Sequence, residues 1–149
     1  MNDFRRLNER VLASPQIGID EVGEAKVLGV SLIVNNRPDG EEAGQIEGAA
    51  IEQAARDAGL DYLAIPIGQA GFSQPQVKAM AEALEEADGR VLAFCRSGTR
   101  STFLWALSQA SKGASPDELA AQALAAGYDV APVRPAMDML ASQANLDPN

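Results

Sequence analysis

Apolar residues recur along this chain with two different periods. Val30-Ser-Leu-Ile-Val34, Asp61-Tyr-Leu-Ala-Ile-Pro-Ile67 and Val91-Leu-Ala-Phe94 are short, dense apolar runs. Runs of that length and composition predict buried strands. Between them the spacing lengthens to that of a helix. Ile19 to Leu28 carries Val22, Ala25 and Val27-Leu28 on one face and stops at Gly29, and Gln45 to Ala58 repeats Ile46, Ala50, Ile51, Ala54, Ala55 and Ala58 before Gly59. Ser73 with Gln76 forms a capping box ahead of Val77, Met80, Ala81 and Leu84, in a helix that ends at Asp88-Gly89.

A further helix is predicted from about Arg100 to Lys112. Ser115-Pro-Asp-Glu118 starts another that Gly127 closes, and a last one covers much of Pro135 to Ala144. The first segment, Phe4 to Ser14, reads as one strand or two short ones ending at Ser14-Pro15. Strands separated by helices of crossover length predict an α/β domain, with a mainly parallel central sheet covered by helices on both faces. Ligands in such folds sit at the carboxyl ends of the strands. Three loops leave those ends, Asn35 to Gly40, Gly68 to Ser73 and Cys95 to Ser101.

A chain of 149 residues fits one domain, 1–149, with no linker. Twelve basic and 21 acidic residues give a net charge of −9, which argues against nucleic acid or an anionic membrane as partner. No apolar run approaches the roughly 20 residues of a spanning helix. The N-terminus lacks the apolar core of a signal peptide, so the expected compartment is the cytoplasm. One cysteine and no histidine leave no internal disulfide and no thiolate or imidazole metal site, and no metal or cofactor is expected. Ser-His-Asp and Cys-His catalysis are excluded for want of an imidazole.

The lone cysteine sits where chemistry is expected. A thiol of ordinary acidity is mostly protonated at neutral pH, so a cysteine nucleophile needs positive potential around it. The segment Cys95-Arg-Ser-Gly-Thr-Arg-Ser101 supplies the N–H groups of a short turn over Ser97, Gly98 and Thr99, the positive end of the following helix, and the charges of Arg96 and Arg100. Gly98 lets the turn close. The Ser101 hydroxyl is placed to donate a hydrogen bond to the thiolate. A free cysteine after an apolar strand is more often simply buried, but burial does not explain two arginines and a glycine in the next five residues.

This loop resembles the rhodanese active loop, Cys-Arg-x-Gly-x-Arg-Ser/Thr, and a shortened protein tyrosine phosphatase loop, Cys-x5-Arg. Taken with Val34-Asn-Asn-Arg-Pro-Asp-Gly-Glu41, Ala58-Gly-Leu-Asp-Tyr-Leu-Ala-Ile-Pro-Ile67 and Ala126-Gly-Tyr128, it resembles the phosphatase-like domain of the beta-lactamase-hydrolase-like proteins, from about Phe4 to Leu140. The resemblance implies a dual-specificity-phosphatase-like fold in a bacterial family sometimes fused to a metallo-hydrolase domain that oxidises sulfur compounds. The resemblance implies such a domain as a partner, and this chain does not carry it.

Two departures from the phosphatase pattern bear on the reaction. Four residues separate Cys95 from Arg100 where phosphatases have five, and a smaller cradle suits sulfur better than phosphate. Gly68-Gln-Ala-Gly71 has no carboxylic acid where dual-specificity phosphatases carry an Asp, and Phe94 replaces their His. The expectation is therefore a sulfurtransferase: Cys95 takes a persulfide from thiosulfate or a related donor, Arg96 and Arg100 bind the anion, and a thiol accepts the sulfur. The alternative is a phosphatase that forms a phosphocysteine, with Asp39, Glu41 or Glu42 as acid. A third reading is a silent anion- or persulfide-binding module. Arg37 binds anions in the first two cases, or is a solvated loop arginine paired with Asp39 or Glu41. Phe103, Trp105 and Leu107 are expected in the core, Met80, Met137 and Met139 in packing or on the surface, and Glu82 to Asp88 on a solvated face.

Overall fold

The computed structural model of the protein describes residues 2–146. Five strands form one sheet in the order β1-β2-β5-β3-β4, with β1 (Arg5–Arg6) antiparallel to β2 (Val11–Ser14) and all other pairs parallel. β3 (Val30–Asn35), β4 (Asp61–Ala64) and β5 (Arg90–Phe94) complete it. Six α-helices join or follow the strands. They are α1 (Ile19–Val27), α2 (Gly48–Asp57), α3 (Gln74–Glu86), α4 (Thr99–Ser111), α5 (Pro116–Ala125) and α6 (Arg134–Leu146), the last preceded by a 3-10 turn at Ala131–Val133. This is the predicted mainly parallel α/β architecture.

Strand alternation builds two cores. Leu12, Ile33, Leu92 and Phe94 pack under α1 and α2 against Val22, Ala25, Ile51 and Ala55. Val11, Ala13, Val34, Val91 and Ala93 face the other way, toward Met80 and Leu84 of α3, Leu104, Trp105 and Leu107 of α4, Leu119 of α5 and Met137 of α6. A register shift between Val30 and Leu32 leaves Ser31 as an extra residue, and its hydroxyl accepts the Gly89 N–H at 2.9 Å. The extra residue turns Val30 and Leu32 to opposite faces, so each finds its own core.

The Asp61 to Ile67 segment departs from expectation. β4 is the sheet edge, ladder pairing stops at Ala64, and Asp61 and Ala64 are exposed. Pro66 has no N–H to continue a ladder. The chain nevertheless stays beside β3, because Ile65 and Ile67 donate to the Asn35 and Asn36 carbonyls, both at 2.9 Å, and bury their side chains. Among the described residues no helix is long and apolar enough to cross a membrane.

Candidate functional site

Cys95 is the first residue past the central strand β5 and is fully buried. Its backbone is held from both sides. Cys95 N–H donates to the Ser14 carbonyl of β2 at 3.3 Å, while the Phe94 carbonyl accepts the Asn36 N–H beyond β3 at 2.8 Å. The chain then turns through Ser97 and Gly98 into α4, and the Gly98 N–H points at the Cys95 sulfur, 3.1 Å away. Gly98 has φ of +92°, a conformation that costs a residue with a side chain, and a Cβ there would lie 2.1 Å from the Tyr128 hydroxyl. Ser97 and Thr99 bond each other through their hydroxyls at 2.9 Å.

Arg100 lies in the first turn of α4. Its guanidinium grips Glu41 with two bonds of 2.8 and 2.9 Å and donates to the Ile67 carbonyl at 2.6 Å. The Glu41 bond, above all, holds Arg100 above its ordinary pKa, and the nearby Cys95 adds to the rise. Glu41 is pulled from 4.5 to about 2, chiefly by Arg100 and further by Arg37. Arg37 is buried and its three nitrogens are used, on Glu41 (3.0 Å), Gln16 (3.0 Å) and Glu42 (2.9 Å). Burial alone would lower the Arg37 pKa, but the bonds to Glu42 and Glu41 outweigh it and the net shift is upward. Arg96, mostly exposed, reaches Glu42 at 3.5 Å. The five groups make a strip of alternating charge from Arg100 through Glu41, Arg37 and Glu42 to Arg96.

Several expected roles are corrected by this geometry. Ser101 does not donate to the thiolate: it is buried, and its hydroxyl donates to Asn36 Oδ1 at 2.7 Å. Arg37 is neither solvated nor open to a substrate anion, because its nitrogens are committed; of the two expected partners it pairs with Glu41 and not Asp39, and Glu42 and Gln16 take its other nitrogens. Asp39 is turned toward α2, where its carboxylate accepts the Gly48 N–H at 2.8 Å. Glu41, held ionised, cannot donate a proton near neutral pH. Glu42 is also lowered, first by Arg37 and then by Arg96. Trp105 and Leu107 are in the core as expected, and Phe103 packs against Phe72 with ring centroids 6.3 Å apart.

Sequence reasoning missed Asn36, Gln16 and Tyr128. Asn36 falls inside the Asn35 to Gly40 loop, yet it is fully buried, accepts the Ser101 hydroxyl and donates its amide to the Ile65 carbonyl at 2.9 Å. Its one visible signal was its place at the carboxyl end of a strand. Among the described residues no group of three or more His, Cys, Asp and Glu is arranged to hold a metal ion.

A buried cysteine at the end of a central parallel strand, a turn whose N–H meets the sulfur, and an arginine returning from the next helix define a phosphatase-like domain. The chain belongs to the family described as beta-lactamase hydrolase-like protein, phosphatase-like domain, whose model matches residues 3–112. A beta-lactamase hydrolase-like protein of Xylella fastidiosa is 38% identical over 125 residues, 83% of this chain and 29% of that protein. The chain thus spans under a third of the length of that relative. The crystal structure of a phosphatase candidate from Neisseria meningitidis superposes with a TM-score of 0.82 at 30% identity, covering 94% of this chain and 99% of the other. Tk-PTP in its active form shares the fold, with a TM-score of 0.72 at 18% identity, covering 95% and 97%.

These likenesses overturn the expected sulfurtransferase and favour the phosphatase alternative. The loop-length argument does not hold against the family match, which covers residues 3–112 including this loop. Gly98 closes the turn directly onto the sulfur, and Arg100 on α4 lies near enough to Cys95 for the cysteine to raise its pKa. Arg96, meant to share the sulfur donor, is turned outward to Glu42.

Proposed function

We propose that the protein is a cysteine-dependent phosphatase acting on phosphomonoesters of acidic alcohols, aryl phosphates above all. The observation that carries this reading is the pairing of the Gly98 N–H with the Cys95 sulfur, beside an Arg100 anchored at its far edge by Glu41 and Ile67. A phosphoryl group over Cys95 meets the loop amides and Arg100, which stabilise charge on its oxygens during transfer. The thiolate attacks phosphorus in line, the S–P bond forms, and the P–O bond to the leaving group breaks with its electron pair on oxygen. Water then attacks phosphorus, the thiolate departs, and phosphate and a proton are released.

The state of the carboxylates narrows the substrate class. Asp39 is bound to an α2 N–H, Glu41 is ionised, and Glu42 is shared between two arginines. Without a proton donor the leaving oxygen departs as an anion, which aryl alcohols tolerate and alkyl alcohols do not. The test is a series of aryl phosphates of graded leaving-group acidity, with an alkyl phosphate, assayed on the protein and on Cys95→Ser. Phosphate release should require Cys95, fall steeply as the leaving group becomes less acidic, and be lost for the alkyl ester. A flat dependence would show that a proton donor acts after all, and release that persists in Cys95→Ser would sink the mechanism.

A further inference from the structure

Tyr128 lies outside the stretch matched by the family model and takes no part in the mechanism above, yet it touches the loop at its most sensitive point. Its hydroxyl donates to the Ser97 carbonyl at 3.1 Å. The next atom along the chain is the Gly98 nitrogen, whose hydrogen points at the Cys95 sulfur. The Ser97–Gly98 peptide is one rigid planar unit with its C=O and N–H directed oppositely. Fixing the carbonyl on one side therefore aims the N–H on the other.

We infer that Tyr128 is a positioning residue that sets the Ser97–Gly98 peptide and so holds the Gly98 N–H on the Cys95 sulfur. This rests on Cys95 being the reacting group, as proposed above. A glycine with a positive φ is free to rotate the peptide preceding it, and nothing within the turn's own covalent geometry fixes the required orientation. The phenol supplies that constraint from the far side of the chain. The close approach of Tyr128 to Gly98 also bars any side chain at that position.

Tyr128 is itself braced. The Arg5 guanidinium lies 5.3 Å from the centre of its ring, and Arg5 donates to the Ala126 carbonyl at 3.4 Å. Burial raises the phenol's pKa, Arg5 opposes the rise, and the nearby Cys95 adds to it, so the group remains a donor through the neutral range. The N-terminal strand and the segment after α5 thus converge on one peptide of the loop.

The chain has a single cysteine, so ultraviolet absorbance of the thiolate and alkylation by iodoacetamide both report on Cys95 alone, with Cys95→Ser as the blank. Tyr128→Phe keeps the ring and removes the bond. It should move the thiolate titration to higher pH and slow alkylation at neutral pH by about fivefold, the ratio carried by one hydrogen bond of ordinary net strength. Arg5→Gln, which loosens the brace but leaves the phenol, should shift the titration the same way by a smaller factor, and it decides the matter if Tyr128→Phe is too unstable to titrate. An unchanged titration and alkylation rate in Tyr128→Phe, whatever happens to its melting temperature, overturns the inference and leaves Tyr128 as packing. The titration needs no turnover. Absence of phosphate release by the unmodified protein would remove the proposed function alone, whereas normal release with an unmoved titration in Tyr128→Phe would remove this inference alone.

Discussion

At the scale of single residues, Glu41 has changed role more than any other. A carboxylate offered as a proton donor is instead an ionised clamp between two arginines, one of them buried. Its folded pKa lies below its ordinary value of 4.5, at about 2. The folded state therefore binds this proton less readily than the unfolded chain. The stabilisation is complete above pH 4.5 and is lost as the pH falls toward 2. Thermal melts of the protein and of Glu41→Gln should differ at neutral pH, with the variant less stable, and the gap should close between those two values. A gap that stays constant to pH 2 would show that Glu41 contributes shape and not charge. The Arg37–Glu41 pair, four residues apart, is among those the sequence offers, but the Arg100 partner could not be assigned from it, because Glu41 and Arg100 meet across 59 residues.

At the scale of elements, local chemistry was well written into the chain. Ser73 caps α3 by accepting the Gln76 N–H at 3.4 Å, and Gln76 returns a bond to the Ser73 N–H at 2.8 Å. Ser115 caps α5 through one such bond, its hydroxyl accepting the Glu118 N–H at 3.4 Å. Such caps involve neighbours three residues apart, so the pattern and the contact are nearly the same information. Ser73→Ala should lower stability by about 1 kcal/mol. Urea unfolding would measure this, and no shift in midpoint would mean that the N-terminus of α3 is secured by other contacts, such as the Gln76 bond to the Pro66 carbonyl at 3.0 Å. The strand from Asp61 was read too long and too buried, because an apolar run carries no record of lying at the sheet's edge.

At the scale of the whole molecule, charge sets a problem for a phosphatase. The net charge of −9 repels an anionic substrate, and the arginines near the loop are largely balanced by Glu41 and Glu42. Long-range repulsion should therefore limit encounter, and salt should relieve it. The kcat/KM for a dianionic aryl phosphate is expected to rise with added salt in the low range before levelling. A fall would show that the field of the loop and of the α4 N-terminus dominates at a distance.

The sequence by itself determined the alternation of strands and helices, the caps, and the placing of Cys95 and Arg100 in one short loop between a strand and a helix, because each rests on residues close together in the chain. It also named the family correctly while misjudging the reaction. Only the tertiary structure decided which groups face the sulfur: the Gly98 N–H aimed at it, Ser101 turned away to Asn36, Glu41 withdrawn from acid chemistry, and Tyr128 behind the loop. Those roles depend on side chains brought together from distant segments by the packing of two cores on one sheet. A loop motif records what the residues can do, and the fold fixes which partner each one meets.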